Sequence, residues 1–309
     1  VKVVFEANIK DIKENLSSYN VTIYNNNSLL STEVLLNPIE TVYLVDATGD
    51  AKICEKLNCE FLEKKSQPIN LRFIMSGIDV EKFSNWIMNF DQNRDVTTSC
   101  KIDGNTYLST AYTWDTNKNW ALRPLFKQAI EDGVLTEAET NYFQLFSVAG
   151  TPDSIAFNAP RLLNPQNPYV EGRTSIYRLS LFCKKYLPGF ENAYISDIAN
   201  SLGIRVSNRV KGKYVYTQED LKSGKRFKNP VVVSNYPIDI HSDQKDGSKL
   251  EKVYQEYQLP IESLIVKDNL FVIGRCISTD FEAQGALRII PSCFSMGEGL
   301  AKYLKARAF

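Results

Sequence analysis

"DNLFVIGRCISTDFEAQGALRIIPSCFSMGEGLAKYL" (residues 268–304) is the stretch from which the rest of the chain is read. An apolar run, Leu270 to Ile273, stops at Gly274. Such a short run ended by glycine reads as a buried strand. A loop with Arg275 and Arg288 follows, and Pro291 then opens a helix. Proline suits the first helical position, where no N–H is needed. The free N–H groups of that turn suit an anionic ligand. Gly297 and Gly299 lie inside the same helix. Each costs about 1 kcal/mol relative to alanine, which points to close packing on a sheet or a ligand. Strand, glycine loop and helix start together fit a backbone lying against a flat, partly anionic ligand.

A second segment of this style lies near the beginning. In "PIETVYLVDATGDA" (38–51), Val42 to Val45 reads as a buried strand that breaks at Asp46-Ala47-Thr48-Gly49-Asp50. "DAKICEKLNCEF" (50–61) reads as a short helix with Ile53, Leu57 and Phe61 on one face. Before it, "VKVVFEANIKDI" and "NVTIYNN" alternate as strands. Between the two segments the texture changes. "INLRFIMSGI" (69–78) is strand-like, and "DVEKFSNWIMNFDQ" (79–92) is an amphipathic helix with Asp79 as its N-cap. A helix stopping at Gly133, a helix start at Thr136 and a long helix ending before Pro188 follow. The expected organisation is residues 1–60 and 262–309 as parts of one α/β ligand-binding domain, with 61–261 as an inserted α+β substrate domain.

Composition narrows the function. The chain has 309 residues, 43% hydrophobic and 23% charged, long enough for two domains. Thirty-six basic residues balance thirty-six acidic ones. That argues against a nucleic-acid partner held by bulk charge. No apolar stretch approaches the roughly 18 residues of a membrane span. No secretory leader is visible at Val1, and the reading is of a cytoplasmic chain that is part of something longer. The six cysteines, at 54, 59, 100, 183, 276 and 293, include no C-x-x-C pair, and His241 is the single histidine. A structural metal site is not expected, and the thiols suit a reducing compartment. Gly297-Glu298-Gly299 lies inside a helix and fails as a dinucleotide fingerprint.

"YLVDATGDA" (43–51), "YLPGFENAYI" (186–195), "GKYVYTQEDL" (212–221), "YPIDIH" (236–241) and residues 269–299 of the opening stretch resemble, in order, blocks of one family. These are the FAD-dependent oxidoreductases of the glutathione-reductase-like class, close to flavoproteins of the fumarate reductase type. The resemblance implies an FAD/NAD(P)-binding Rossmann-like domain with an inserted α+β domain. It implies FAD as cofactor, a small-molecule substrate, and hydride transfer at flavin N5. The family's GxGxxG turn for the ADP half of FAD has no counterpart here. The Rossmann-like domain is therefore expected to be incomplete at its N-terminus, and residues 1–309 alone are expected not to retain FAD.

By the same resemblance, Asp46, Thr48, Gly49 and Asp50 form the second cofactor segment. Gly274 and Arg275 reach the pyrophosphate and ribityl chain, where an arginine fork matches the anion. Ser292 and Cys293, after Pro291, begin the helix under the flavin. On spacing alone, a capped turn between strand and helix is the favoured reading of 46–50. His241 follows Asp239 at i+2, on one strand face, so Asp239 can orient the imidazole for proton transfer. Arg288 can hold an anionic substrate or the reduced flavin. A plain strand end and a solvated arginine are the bland readings of these two residues. A hydrolase built on His241 and Asp239, or a non-catalytic lobe that pairs with another chain, are the competing functions. No G-x-S-x-G elbow supports the hydrolase. The sequence leaves the oligomeric state open.

Overall fold

The computed structural model describes residues 2–27, 32–35, 37–91, 96–112, 122–241 and 248–307. It has a mixed α/β fold in two units. The first comprises Val1–Ser66, Val206–Ile240 and Leu250–Phe309, and the second Gln67–Arg205 and His241–Lys249.

In the first unit, strands Ala7–Glu14 and Tyr19–Asn27 pair antiparallel, and the second also pairs with Thr32–Leu35 and Ile39–Thr41. Ile9 and Ile12 should face opposite sides of a regular strand, since side chains alternate. The register slips between Ile9 and Asp11, so Ile9 stands opposite Ile23 and Ile12 opposite Val21. That bulge turns both isoleucines toward one apolar core.

The expected ligand-facing strand is Leu44–Asp46, shifted from the apolar run 42–45: Val42 is exposed and Asp46 is fully buried. It lies parallel to Leu270–Val272, with Leu44 opposite Leu270 and Asp46 opposite Val272. Ile265–Lys267 completes the three-stranded sheet. Residues 206–240, grouped by texture with the middle of the chain, belong to this first unit. Their buried Val210, Tyr216, Leu221, Val232 and Ile238 share one core with Leu270–Val272 and Met296.

The C-terminal helix runs Ile290–Arg307. Before it, the stretch read as loop contains a short helix, Phe281–Leu287, whose N-cap Asp280 accepts from Ala283 N–H at 2.7 Å. The two helix glycines differ. A Cβ on Gly299 would stand 2.7 Å from Val231 Cβ, so this glycine lets the helix close onto strand Pro230–Ser234. A Cβ on Gly297 would meet nothing within 4 Å.

The second unit holds a six-stranded sheet in the order Tyr194–Ile198, Phe73–Ser76, Thr151–Phe157, Phe143–Val148, Asn105–Tyr112, Thr97–Ile102. Helix Val80–Phe90 is capped as expected by Asp79, which accepts from Lys82 N–H. Helix Arg123–Glu131 stops before Gly133, whose φ is +70°. Thr136 and Glu139 form a capping box on a short 3-10 turn. Helix Pro168–Tyr186 is the long one. A phenylalanine cluster fills the core: Phe73 stacks on Phe157 at 4.4 Å, and Phe126 meets Phe182 at 4.3 Å and Phe143 at 5.3 Å. Such aromatic pairs add about 0.5–1.5 kcal/mol each beyond their buried area. No helix among the described residues is long and apolar enough to cross a membrane.

Candidate functional site

At the end of strand Leu44–Asp46 the chain turns sharply into helix Lys52–Lys56. The buried Asp46 carboxylate organises that turn. One oxygen accepts from Thr48 N–H at 3.0 Å and Thr48 O–H at 2.7 Å. The other accepts from Ile53 N–H at 2.9 Å and Cys54 N–H at 3.0 Å. A carboxylate has about four acceptor positions, and here four donors meet it. Thr48 Oγ in turn accepts from Lys52 N–H at 3.0 Å. Asp46 and Thr48 are thus committed to the turn, which is the capped-turn reading. They hold Gly49 and Asp50 in place.

Gly49 has φ +74°, a left-handed conformation that favours glycine. A Cβ there would stand 2.7 Å from Arg275 Nη1 and 2.9 Å from its Cζ. Arg275 Nη2 donates to the Asp50 carboxylate at 2.7 Å. Burial pushes the Asp50 carboxyl up, but hydrogen bonds from Arg275 and Ser207 outweigh it and leave it below its ordinary value. Ser207 Oγ also donates to Gly49 O, and Asn208 Nδ2 to Asp50 O. These partners lie in the 206–240 stretch, and sequence reasoning missed both because no local pattern marks them.

Gly274 has φ +89°, and a Cβ there would meet nothing within 4 Å. Arg275 Nε is buried and has no hydrogen-bond partner. Arg275 is also a positive neighbour of Cys293, whose thiol burial pushes up. Cys293 S–H reaches Arg288 O at 3.8 Å, and Ser292 beside it is buried. Gly49 and Asp50 therefore meet the Arg275 guanidinium, and Cys293 is a further neighbour of its charge. An orphaned buried N–H, a bare glycine face and an open glycine turn fit a ligand that carries a phosphate and a planar group.

The two residues expected to be catalytic each have partners of their own. Arg288, in the first unit, is mostly buried, and its Nη2 donates to Asp239 O at 2.9 Å and to its carboxylate at 3.2 Å. It is an ion-paired residue, not a solvated one. His241 belongs to the second unit and is buried there. Arg161 Nη2 donates to its Nδ1 at 2.6 Å, so Nδ1 is an acceptor and carries no proton in this contact. Arg161 also stacks 4.3 Å above Tyr142, whose ring meets the imidazole edge-on at 5.9 Å. The Asp239 carboxylate accepts from Arg288, and the His241 ring accepts from Arg161.

The sequence matches the FAD dependent oxidoreductase family over residues 17–305, and the chain belongs to that family. The family's cofactor is FAD. No curated protein matches it. Among solved structures it is similar to K252c-soaked RebC, at 8% identity and a TM-score of 0.33 over 68% of this chain and 28% of that one. It is also similar to the halogenase PltM, at 11% identity and 0.34 over 68% and 34%. The p-nitrophenol 4-monooxygenase PnpA from Pseudomonas putida DLL-E4 gives 8% and 0.34 over 67% and 38%. The chain spans about a third of the length of these solved structures. Likeness this distant transfers no residue roles.

Proposed function

We propose that this chain supplies the part of an FAD-dependent oxidoreductase that grips the pyrophosphate and ribityl portion of FAD and backs the flavin ring, in an enzyme that moves a hydride between a small molecule and flavin N5. The observation that carries this is the meeting of Gly49 and Asp50 with the Arg275 guanidinium, although Asp50 and Arg275 are 225 residues apart. Arg275 has an Nε–H without a hydrogen-bond partner and a charge oriented by Asp50, which suits it to a phosphate oxygen. Gly49 and Gly274 let the backbone approach closely. Ser292 and Cys293 sit in the first turn of helix Ile290–Arg307, where free N–H groups present partial positive charge to an electron-rich edge. The flavin supplies the hydride acceptor, and these residues bind and orient it. This part belongs to a Rossmann-like domain, and the second unit is its inserted substrate domain. The family assignment does not favour a hydrolase or a non-catalytic lobe.

The test is titration with FAD of the flavin-free protein completed with an ADP-binding segment, read by quenching of flavin fluorescence, in the parent and in Arg275→Met. Loss of a charge-assisted phosphate contact weakens binding by on the order of tenfold or more. Equal affinity in the two proteins would remove Arg275, and with it this face, from the cofactor site.

A further inference from the structure

All six cysteines are free, yet two of them are neighbours. Cys54 is fully buried inside helix Lys52–Lys56. Leu57 closes that helix, and Asn58 takes a left-handed φ of 52°. The chain turns back there. Asn58 N–H donates to Glu55 O at 3.1 Å, and Cys59 N–H donates to Cys54 O at 3.0 Å. This pair of bonds is the Schellman ending, with Asn58 as its left-handed residue. A 3.0 Å bond with one residue's backbone at each end keeps the two Cα atoms within about 7 Å. A disulfide needs roughly 4.4–6.8 Å.

The side chains complete the pair. Cys54 and Cys59 hold the two positions of this ending whose side chains come together. Cys59 is only partly covered, whereas Cys54 is sealed in the core beside Asp46 and Cys276. Lys267 is a positive neighbour of Cys59, and its Nζ is held by both oxygens of Glu14, at 2.9 and 2.7 Å. The neighbouring Cys54, with Lys267, outweighs burial and Glu14 and brings the Cys59 thiol below its ordinary value. The Cys54 thiol is raised by its neighbour Cys59 and by burial. Schellman endings often place apolar side chains at these two positions in contact. Packing alone, however, asks for neither a partly open sulfur nor a cation beside it, and those are the surroundings of a reactive thiol.

We propose that Cys54 and Cys59 form a dithiol that exchanges with low-molecular-weight disulfides and closes to an internal disulfide. In the first step Cys59 Sγ, as thiolate, attacks one sulfur of a small disulfide. One S–S bond breaks, one forms, and a small thiolate leaves. Cys54 then loses its proton and attacks Cys59 Sγ in the mixed disulfide. The second small thiolate leaves and takes up a proton. One small disulfide is reduced to two thiols while the two cysteines are oxidised to one cystine. Cys59 is the attacking sulfur because it is the open one, and Cys54 the resolving one because the backbone bond from Cys59 N–H holds the two residues together.

The test is incubation of the folded protein with glutathione disulfide, acid quench, alkylation of remaining thiols and peptide mapping by mass spectrometry. Trypsin cuts after Lys56, between the two cysteines, so a linkage joins two peptides. The expected result is that Cys54 and Cys59 leave the alkylated pool together and appear as linked peptides, and that dithiothreitol restores both. Exposed Cys100, by contrast, holds a glutathionyl adduct. In Cys54→Ser the adduct should persist on Cys59. A lasting adduct on Cys59 of the parent with Cys54 still alkylated would overturn the proposal. So would an unmodified Cys59 while Cys100 reacts. Should Cys54→Ser not fold, the parent's map decides by itself.

Discussion

Arg275 lies against the bare face of Gly49 while its guanidinium donates to Asp50, the next residue, at 2.7 Å. The glycine and the carboxylate together fix where the arginine can be. Gly49→Ala puts a methyl group inside that contact and forces a left-handed alanine, costing about 1–2 kcal/mol from the backbone alone. Thermal unfolding should fall, and FAD affinity should fall further than in an exposed control such as Gly150→Ala, which has open space around it. Equal losses in the two variants would mean that the guanidinium has no part in binding.

Asp46 holds four donors from a fully buried position. Asp46→Ala leaves buried N–H groups unmet and should cost on the order of 2–4 kcal/mol in denaturant unfolding. Asp46→Asn should cost less, because one amide oxygen still accepts. If both variants unfold at the parent's midpoint, the turn does not depend on this carboxylate.

Arg288 and Asp239 are a largely covered pair. Arg288→Met removes the cation from this pair and should destabilise by roughly 3 kcal/mol. Asp239→Leu together with Arg288→Met should recover much of that loss, since neither charge then remains buried. Calorimetry of the single and double variants separates this structural role from a role in flavin reduction, where stopped-flow rates would fall in the double variant as well.

Cys293 stands in the first turn of helix Ile290–Arg307 with Arg275 as a positive neighbour. Cys293→Asp adds a negative charge that opposes both the helix end and the arginine. The flavin midpoint potential should drop by on the order of 10–40 mV. Cys293→Ser should move it much less. A dye-equilibrated redox titration at fixed pH decides; an unchanged or raised potential in the aspartate variant places the helix start elsewhere.

In the second unit Glu191 accepts from Lys82 Nζ at 2.7 Å and from Gly189 N–H at 2.9 Å. The lysine hydrogen bond, with the backbone donors, brings its carboxyl from an ordinary 4.5 down to about 2. A lowered folded value means stability that is present above the unfolded value and lost as pH falls through the folded one. Unfolding midpoints should therefore decline between about pH 4.5 and pH 2. Glu191→Gln should flatten that decline. The pair is exposed, so the effect should be small and shrink further in high salt.

Local signals told most of the fold. Asp79, Gly133 and Thr136 mark helix ends through side-chain caps and a left-handed turn, all set by residues within a few positions. The helix Phe281–Leu287 was also signalled, by Asp280, but the neighbouring arginines drew attention to a loop. Gly299 was legible as close packing and Gly297 was not, because glycine looks the same whether it faces Val231 or open space. Partners far along the chain were out of reach. Nothing near His241 announces Arg161, and nothing near Gly49 announces Ser207. The Cys54–Cys59 pair is wider than a C-x-x-C spacing, and Asn58, which tolerates the left-handed turn joining them, is its one local sign.

The parallel pairing of Leu44 with Leu270 also has a consequence in time. A ribosome adds about 5–20 residues per second, so strand Leu44–Asp46 waits roughly 10–45 seconds before its neighbour is synthesised. Meanwhile residues 67–205, whose sheet is antiparallel and made of nearer segments, emerge whole. The nascent chain thus carries an unmatched strand edge throughout the synthesis of its second unit, and that edge is where a chaperone has the longest opportunity to bind.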